Sequence, residues 1–179
     1  MFKGSAHLSN RNVKLHNIIF PIWLLWILPI TWIVVLPANF VIDLAVIVLT
    51  LKYLKITDIK FKAKAVVLKT WFFGFLADFI GTAFMFLANI INFDNNTPLG
   101  SWWTDNISNA VSYHPFASIC SVLWIGTCIV ITAALIFIFN YKISFKKLDI
   151  EDNQKKTLAL SMAIFTAPYL FYLPTSWFF

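Results

Sequence analysis

Residues 18–51 read IIFPIWLLWILPITWIVVLPANFVIDLAVIVLTL and decide the fold. The run contains one charged residue, Asp43, and is about twice as long as the roughly 20 apolar residues that cross a bilayer. A single helix of this length would reach about 50 Å, well beyond a hydrocarbon core of about 30 Å. We therefore predict a turn at 36–39, because Pro37 disfavours helix at the residue before it and suits the first turn of a new helix. This turn divides the run into helices 18–35 and 37–54.

The rest of the chain contains three further apolar runs, which predict helices at 70–93, 116–140 and 157–179. The whole sequence is 60% hydrophobic and 12% charged, whereas soluble domains are about half apolar and about a quarter charged. Charge this sparse does not cover a water-facing surface. We predict an all-α fold in a single domain, 1–179: a polytopic integral membrane bundle of about five transmembrane helices.

The positive charges predict the orientation of this bundle. All 14 Lys and Arg residues lie before the first predicted helix, between the second and third, or between the fourth and fifth. The turn at 36–38, the outer loop at 94–115 and the C-terminus contain none. Basic segments stay cytoplasmic during insertion, so we expect the N-terminus inside and the C-terminus outside. A re-entrant hairpin formed by the first two helices is an alternative that leaves the same charge pattern.

Two carboxylates lie inside predicted spans, where a charged Asp costs roughly 2.5–3.5 kcal/mol. Helical spacing places Asp78, Thr82 and Asn89 on one face of the third helix, and Asn39 and Asp43 on one face of the second. No Lys, Arg or His lies within a span to neutralise either Asp. We therefore expect these five residues to line an ion- or proton-binding site between facing polar stripes.

A structural role is the alternative for both carboxylates. A protonated Asp can act as an interhelical hydrogen-bond donor, typically contributing about 0.6 kcal/mol. Asp43 also falls near the start of the predicted helix 37–54, where a carboxylate is favoured. Gly74, Gly81 and Ala88, seven residues apart, predict close approach of a neighbouring helix.

Several other classes of function have no support in the sequence. It contains no phosphate-binding loop, zinc-protease or serine-hydrolase motif, so we assign no catalytic residues, metal site or cofactor. Cys120 and Cys128 lie eight residues apart on one predicted helix, too far for a disulfide. The net charge of +6 is confined to short segments between apolar runs and does not predict nucleic-acid binding.

Three functions remain open. The first is a cation- or proton-linked transporter or channel component that uses the intramembrane Asp residues. The second is a non-catalytic membrane subunit, immunity factor or assembly factor whose polar residues hold helices together, and the third is an intramembrane enzyme. We expect the lipid bilayer as partner, with a homo-oligomer or a membrane partner subunit. Abundant Lys, Ile, Phe and Asn with a single Arg predict a multi-pass protein of a bacterial plasma membrane.

Overall fold

The computed structural model describes residues 29–177, with side chains from Trp32 onward. This part of the chain contains helices and no strand, which confirms the all-α prediction for it. Its α-helices are α1 Pro29–Tyr53, α2 Ile59–Ile90, α3 Pro98–Trp103, α4 Asn109–Tyr113, α5 Ile119–Phe139 and α6 Asp152–Phe165. Two π-helical turns, Thr104–Ser108 and Asn140–Ser144, and three 3-10 turns, Pro115–Ala117, Tyr169–Tyr172 and Thr175–Trp177, complete it.

Three of these helices are long and apolar enough to cross a membrane: Trp32–Tyr53, Ile59–Ile90 and Ile119–Ser144. They correspond to the predicted spans 37–54, 70–93 and 116–140. The described residues thus support a helical membrane protein but with fewer full-length spans than the five predicted. Residues 18–28 of the first predicted span lie outside the described residues.

The turn predicted at 36–39 is wrong, because α1 runs through Pro37 without interruption. Proline is tolerated inside membrane helices where neighbouring groups satisfy the backbone that it disturbs. Next to Pro37, the Trp71 indole N–H of α2 donates a 2.9 Å hydrogen bond to the Leu36 carbonyl and so ties α1 to α2 at this point. As a consequence Asp43 lies in the middle of α1, not near a helix N-terminus as predicted.

The next helix, α2, begins at Ile59, well before the predicted start at residue 70. Its 32 residues reach about 48 Å, so it is longer than the hydrocarbon core. Lys60, Lys62 and Lys64, which were predicted in a loop, lie on its first turns. The apolar remainder, Thr70 to Ile90, closely matches the predicted span.

The predicted helix 157–179 is also wrong in its second half. α6 ends at Phe165, and 3-10 turns replace the helix from Tyr169 onward. Pro168 has no N–H to donate to the Ile164 carbonyl and disfavours helix at the residue before it. The Tyr169 hydroxyl donates to that Ile164 carbonyl instead, at 2.7 Å.

Residues 166–177 nevertheless continue to the far end of the bundle. The Tyr172 hydroxyl donates to the Val122 carbonyl of α5 at 2.8 Å. The Thr175 hydroxyl donates to the Ser112 carbonyl of α4 at 3.0 Å. The chain therefore crosses the bundle a fourth time, half as α6 and half as turns held by side-chain hydrogen bonds.

The predicted outer loop 94–115 is largely helical and packed. Ile107, Ala110 and Val111 are buried in it. The hydroxyls of Ser108 and Ser112 in this segment both donate to the Asn89 side-chain oxygen at the end of α2, each at 3.0 Å. This contact holds the segment across one end of the bundle.

Gly81 sets how closely α2 approaches α5. A Cβ at this position would collide with the Thr132 hydroxyl and would lie 3.2 Å from the Phe171 ring. Thr132 is not free to move away, because its hydroxyl donates to the Cys128 carbonyl at 2.8 Å. The predicted role of Gly81 in close helix packing therefore has a specific partner, Thr132.

We predict that Gly81→Ala destabilises the protein, by roughly 1–3 kcal/mol, since the new methyl group overpacks this contact. The measurement is the melting temperature in detergent. Gly74→Ala is the matched control, because a Cβ there would make only an ordinary 3.6 Å contact with Asp43. Equal melting temperatures for the two variants would contradict the assigned contact.

Candidate functional site: a carboxylate-lined cavity

Three helices, α1, α2 and α6, each carry a polar feature nine residues from a lysine: a carboxylate on α1, a carboxylate on α2, and the C-terminal end of α6. Asp43 lies nine residues before Lys52 on α1, and Asp78 lies nine residues after Lys69 on α2. α6 ends at Phe165, nine residues after its last lysine. Nine helical residues rise about 13 Å, which is close to the middle of a hydrocarbon core of about 30 Å.

These three features line one cavity of about 190 Å³. α1 contributes Asn39 and Asp43, and α2 contributes Gly74 and Asp78. The opposite wall is the segment 165–170, where α6 ends. At about 30 Å³ per water, the space admits a small ion with part of a water shell.

Asp43 faces α2 at the position where that helix has no side chain. The Asp43 carboxylate is buried, and a Cβ added at Gly74 would lie 3.6 Å from its Oδ2 atom. Gly74 therefore gives Asp43 room one helical turn from Asp78. The two carboxylates line the same cavity.

Asp78 is the more deeply enclosed of the two carboxylates. Its side chain is 5% exposed, and its Oδ1 atom has no hydrogen-bond partner among the residues that the structure describes. The neighbouring Thr82 hydroxyl does not reach it, because that hydroxyl donates to the Asp78 backbone carbonyl at 2.9 Å. Burying an oxygen without a hydrogen-bond partner costs free energy that is not offset unless another group occupies the cavity.

The end of α6 adds further negative potential to the same cavity. The last carbonyls of a helix lack intrahelical partners, and its C-terminal end carries a partial negative charge. The Thr166 N–H and hydroxyl both donate to the Met162 carbonyl, at 3.0 and 2.8 Å. These bonds hold the end of the helix in place beside the two carboxylates.

Among the residues that the structure describes, the lining contains no basic side chain that would balance these charges. Its described members other than the two carboxylates are neutral: Asn39, Ile42, Gly74, Phe75, Phe165, Thr166, Ala167, Pro168, Tyr169 and Leu170. Like-charged carboxylates in one site favour sharing a proton or binding a cation. The chemistry of the cavity is therefore that of a cation or proton acceptor.

The structure brings together three of the five predicted site residues, Asn39, Asp43 and Asp78. Thr82 adjoins Asp78 but does not line the cavity. Asn89 lies at the end of α2, where it binds the Ser108 and Ser112 hydroxyls. The prediction missed the segment 165–170, because it placed those residues inside the helix 157–179. Pro168 is the residue that indicates the end of regular helix there.

We predict that Asp78→Asn stabilises the protein in a buffer without small cations, by about 1 kcal/mol. The substitution keeps the shape of the side chain and removes a carboxyl group whose ionised form has no partner among the described residues. The measurement is the melting temperature in detergent with a bulky organic cation as the only counterion. Asp105→Asn, in the outer helical segment, serves as control, and a marked loss of stability in Asp78→Asn would refute the unpartnered carboxylate.

Comparisons with protein-family models, curated protein sequences and solved structures find no significant match for this chain. Its function is therefore inferred from the geometry and chemistry of the cavity.

Proposed function

We propose that this protein binds a proton or a small monovalent cation in the cavity between α1, α2 and the end of α6, and that it acts as a cation- or proton-linked transporter or channel component. The observation that carries the proposal is the meeting of Asp43, Asp78 and a helix C-terminus in one cavity, each nine residues from a lysine of its helix. Discontinuous membrane helices commonly bind Na⁺ or H⁺ through the carbonyl end of a half-helix.

The charge balance supports the same proposal. Buried ionisable groups in membranes mark ion pathways and proton relays, because their cost is otherwise not compensated. A bound monovalent cation would offset one of the two negative charges and partner the Asp78 Oδ1 atom. With two carboxylates and the Asn39 amide, and with no sulfur or imidazole among the described lining residues, the site suits a hard ion.

The proposed orientation follows from the lysines. Every lysine of residues 29–177 lies on the end of the bundle formed by the C-terminal ends of α1 and α5 and the N-terminal ends of α2 and α6. Leu51, Ala63, Phe145 and Leu158 pack together in the apolar core near this end. We place this end in the cytoplasm of a bacterial cell, with residues 94–118 and the C-terminus outside.

This orientation predicts which cysteines are labelled from outside. In a variant whose two native cysteines are replaced by Ala, a membrane-impermeant maleimide applied to intact cells should label Asn96→Cys but not Lys147→Cys. Permeabilised cells should show both labelled. Labelling of Lys147→Cys in intact cells would reverse the orientation.

The transport proposal predicts cation-dependent stability and flux, both lost on neutralising the pair. A ligand that binds the folded state at a hundred times its Kd raises stability by about 2.7 kcal/mol. Na⁺, Li⁺ or a change of proton concentration should therefore shift the melting temperature of the wild-type protein. The shift should be absent in Asp43→Asn with Asp78→Asn.

The same variants test transport in proteoliposomes. We expect proton or sodium flux above that of protein-free vesicles, reduced at least about tenfold in the double variant, with Asp105→Asn as the matched control. Flux unchanged by the double substitution would refute the cavity as the pathway. A cation-dependent melting shift without flux would favour a binding subunit over a transporter.

A further inference from the structure

The face formed by α5 and α6 combines a basic pocket with an apolar groove. The pocket lies at the lysine-rich end and has a volume of about 330 Å³. Its walls are Tyr141, Lys142, Lys146, Asp152 and Lys155. None of these residues belongs to the carboxylate cavity.

The single acidic wall of this pocket is already neutralised. Lys156 Nζ lies 2.8 Å from Asp152 Oδ2, and the Tyr141 hydroxyl donates to Asp152 Oδ1 at 2.9 Å. The hydrogen bond from Lys156 and then that from Tyr141 lower the pKa of Asp152, so it stays ionised and paired at neutral pH. Three ammonium groups, those of Lys142, Lys146 and Lys155, therefore remain to attract an anion.

The pocket geometry directs two of these lysines. Lys142 Nζ stands over the Tyr141 ring, 5.1 Å from its centroid. Lys155 Nζ approaches the Lys146 carbonyl at 3.4 Å, which brings the segment between α5 and α6 against the first turn of α6. The lysines thus flank a concave site at the membrane boundary, where anionic lipid headgroups lie.

The apolar groove between α5 and α6 lies next along the same helices. Its volume is about 520 Å³, and alanines at four positions keep it open. The groove is lined by Ile129, Val130, Ala133, Ala134, Phe137, Ile138, Leu160, Ala163, Ile164, Ala167 and Tyr169.

Helical spacing joins the groove to the pocket. Tyr141 and Lys142 lie one turn beyond Phe137 and Ile138, in the π-helical turn that continues α5. The Phe137 and Tyr141 rings stack with centroids 5.8 Å apart. The distance from Ile129 to Tyr141 is about 18 Å, close to the thickness of one hydrocarbon leaflet. One lipid acyl chain therefore fits the groove while its headgroup is in the pocket.

We propose that the α5–α6 face binds one anionic phospholipid of the leaflet at the lysine-rich end. Lys142, Lys146 and Lys155 hold its phosphate, and the groove between α5 and α6 holds an acyl chain. The charge of the pocket selects an anionic lipid over a neutral one of the same chain length. The groove shares Ala167 and Tyr169 with the lining of the carboxylate cavity, but the lipid proposal uses neither carboxylate and does not rest on the proposed transport.

The test titrates delipidated protein in neutral detergent with dioleoyl phosphatidylglycerol or dioleoyl phosphatidylcholine, and counts bound lipid by native mass spectrometry. We expect one tightly bound phosphatidylglycerol, and an affinity at least about tenfold lower in Lys142→Gln with Lys146→Gln and Lys155→Gln. Lys60→Gln with Lys64→Gln and Lys69→Gln is the matched control, because it removes the same charge from α2. Equal affinity for both lipids, or an equal loss in both triple variants, would overturn the proposal.

A second pair of variants tests the groove. Ala134→Trp fills it, and should weaken binding of dioleoyl phosphatidylglycerol while binding of the short-chain dihexanoyl lipid is unchanged. Leu68→Trp, on the exposed face of α2, is the control and should bind both as the wild type does. The proposal fails if inorganic phosphate displaces the lipid completely, or if Ala134→Trp changes only the oligomeric mass, which would assign the groove to a second copy of the chain.

Discussion

The backbone of residues 166–177 determines how the rest of the bundle is arranged. In a membrane every peptide N–H and C=O needs a partner within the protein, which a regular helix supplies by itself. α6 stops after half a crossing, so its continuation depends on other elements. The hydroxyls of Tyr169, Tyr172 and Thr175 each donate to a backbone carbonyl, on α6, α5 and α4 respectively.

Those bonds constrain the helices around the segment. Gly126 lies under the Tyr172 hydroxyl, where a Cβ would approach to 2.8 Å. Gly81 leaves room for Thr132 and for the ring of Phe171. Ser112, whose carbonyl accepts from Thr175, also donates through its hydroxyl to Asn89 of α2, as does Ser108. The cost of ending α6 inside the bundle is thus offset by packing that extends from α2 to α5. The same ending forms a wall of the cavity that Asp43 and Asp78 line, so the irregular backbone and the polar cavity are one structural feature.

Two prolines show what the sequence predicts and what it leaves open. The apolar runs and the grouped lysines predicted the all-α class and most of α2 and α5. Pro37 was expected to end a helix and does not, whereas the helix predicted at 157–179 runs through Pro168 and the observed α6 ends before it. Next to Pro37, Trp71 of α2, 35 residues away along the chain, bonds to the Leu36 carbonyl and ties the two helices together. Pro168 leaves the Ile164 carbonyl of α6 without an N–H donor. The hydroxyl of the adjacent Tyr169 donates to this carbonyl, which lets the chain continue as turns. Local patterns mark where a helix is weakened, and tertiary contacts decide whether it continues.

The candidate site was predicted in part for a related reason. Helical periodicity assigns residues to a face but not to a depth, so Asn89 was grouped with Asp78 although eleven residues, about 16 Å, separate them. Asn39 and Asp43 lie one turn apart and do share the cavity with Asp78. The position of each residue along the helix axis can nevertheless be counted from the lysines at the ends of the apolar runs. Counting nine residues inward from Lys52, Lys69 and Lys156 reaches Asp43, Asp78 and Phe165 at one level, and that coincidence identifies the three walls of the cavity.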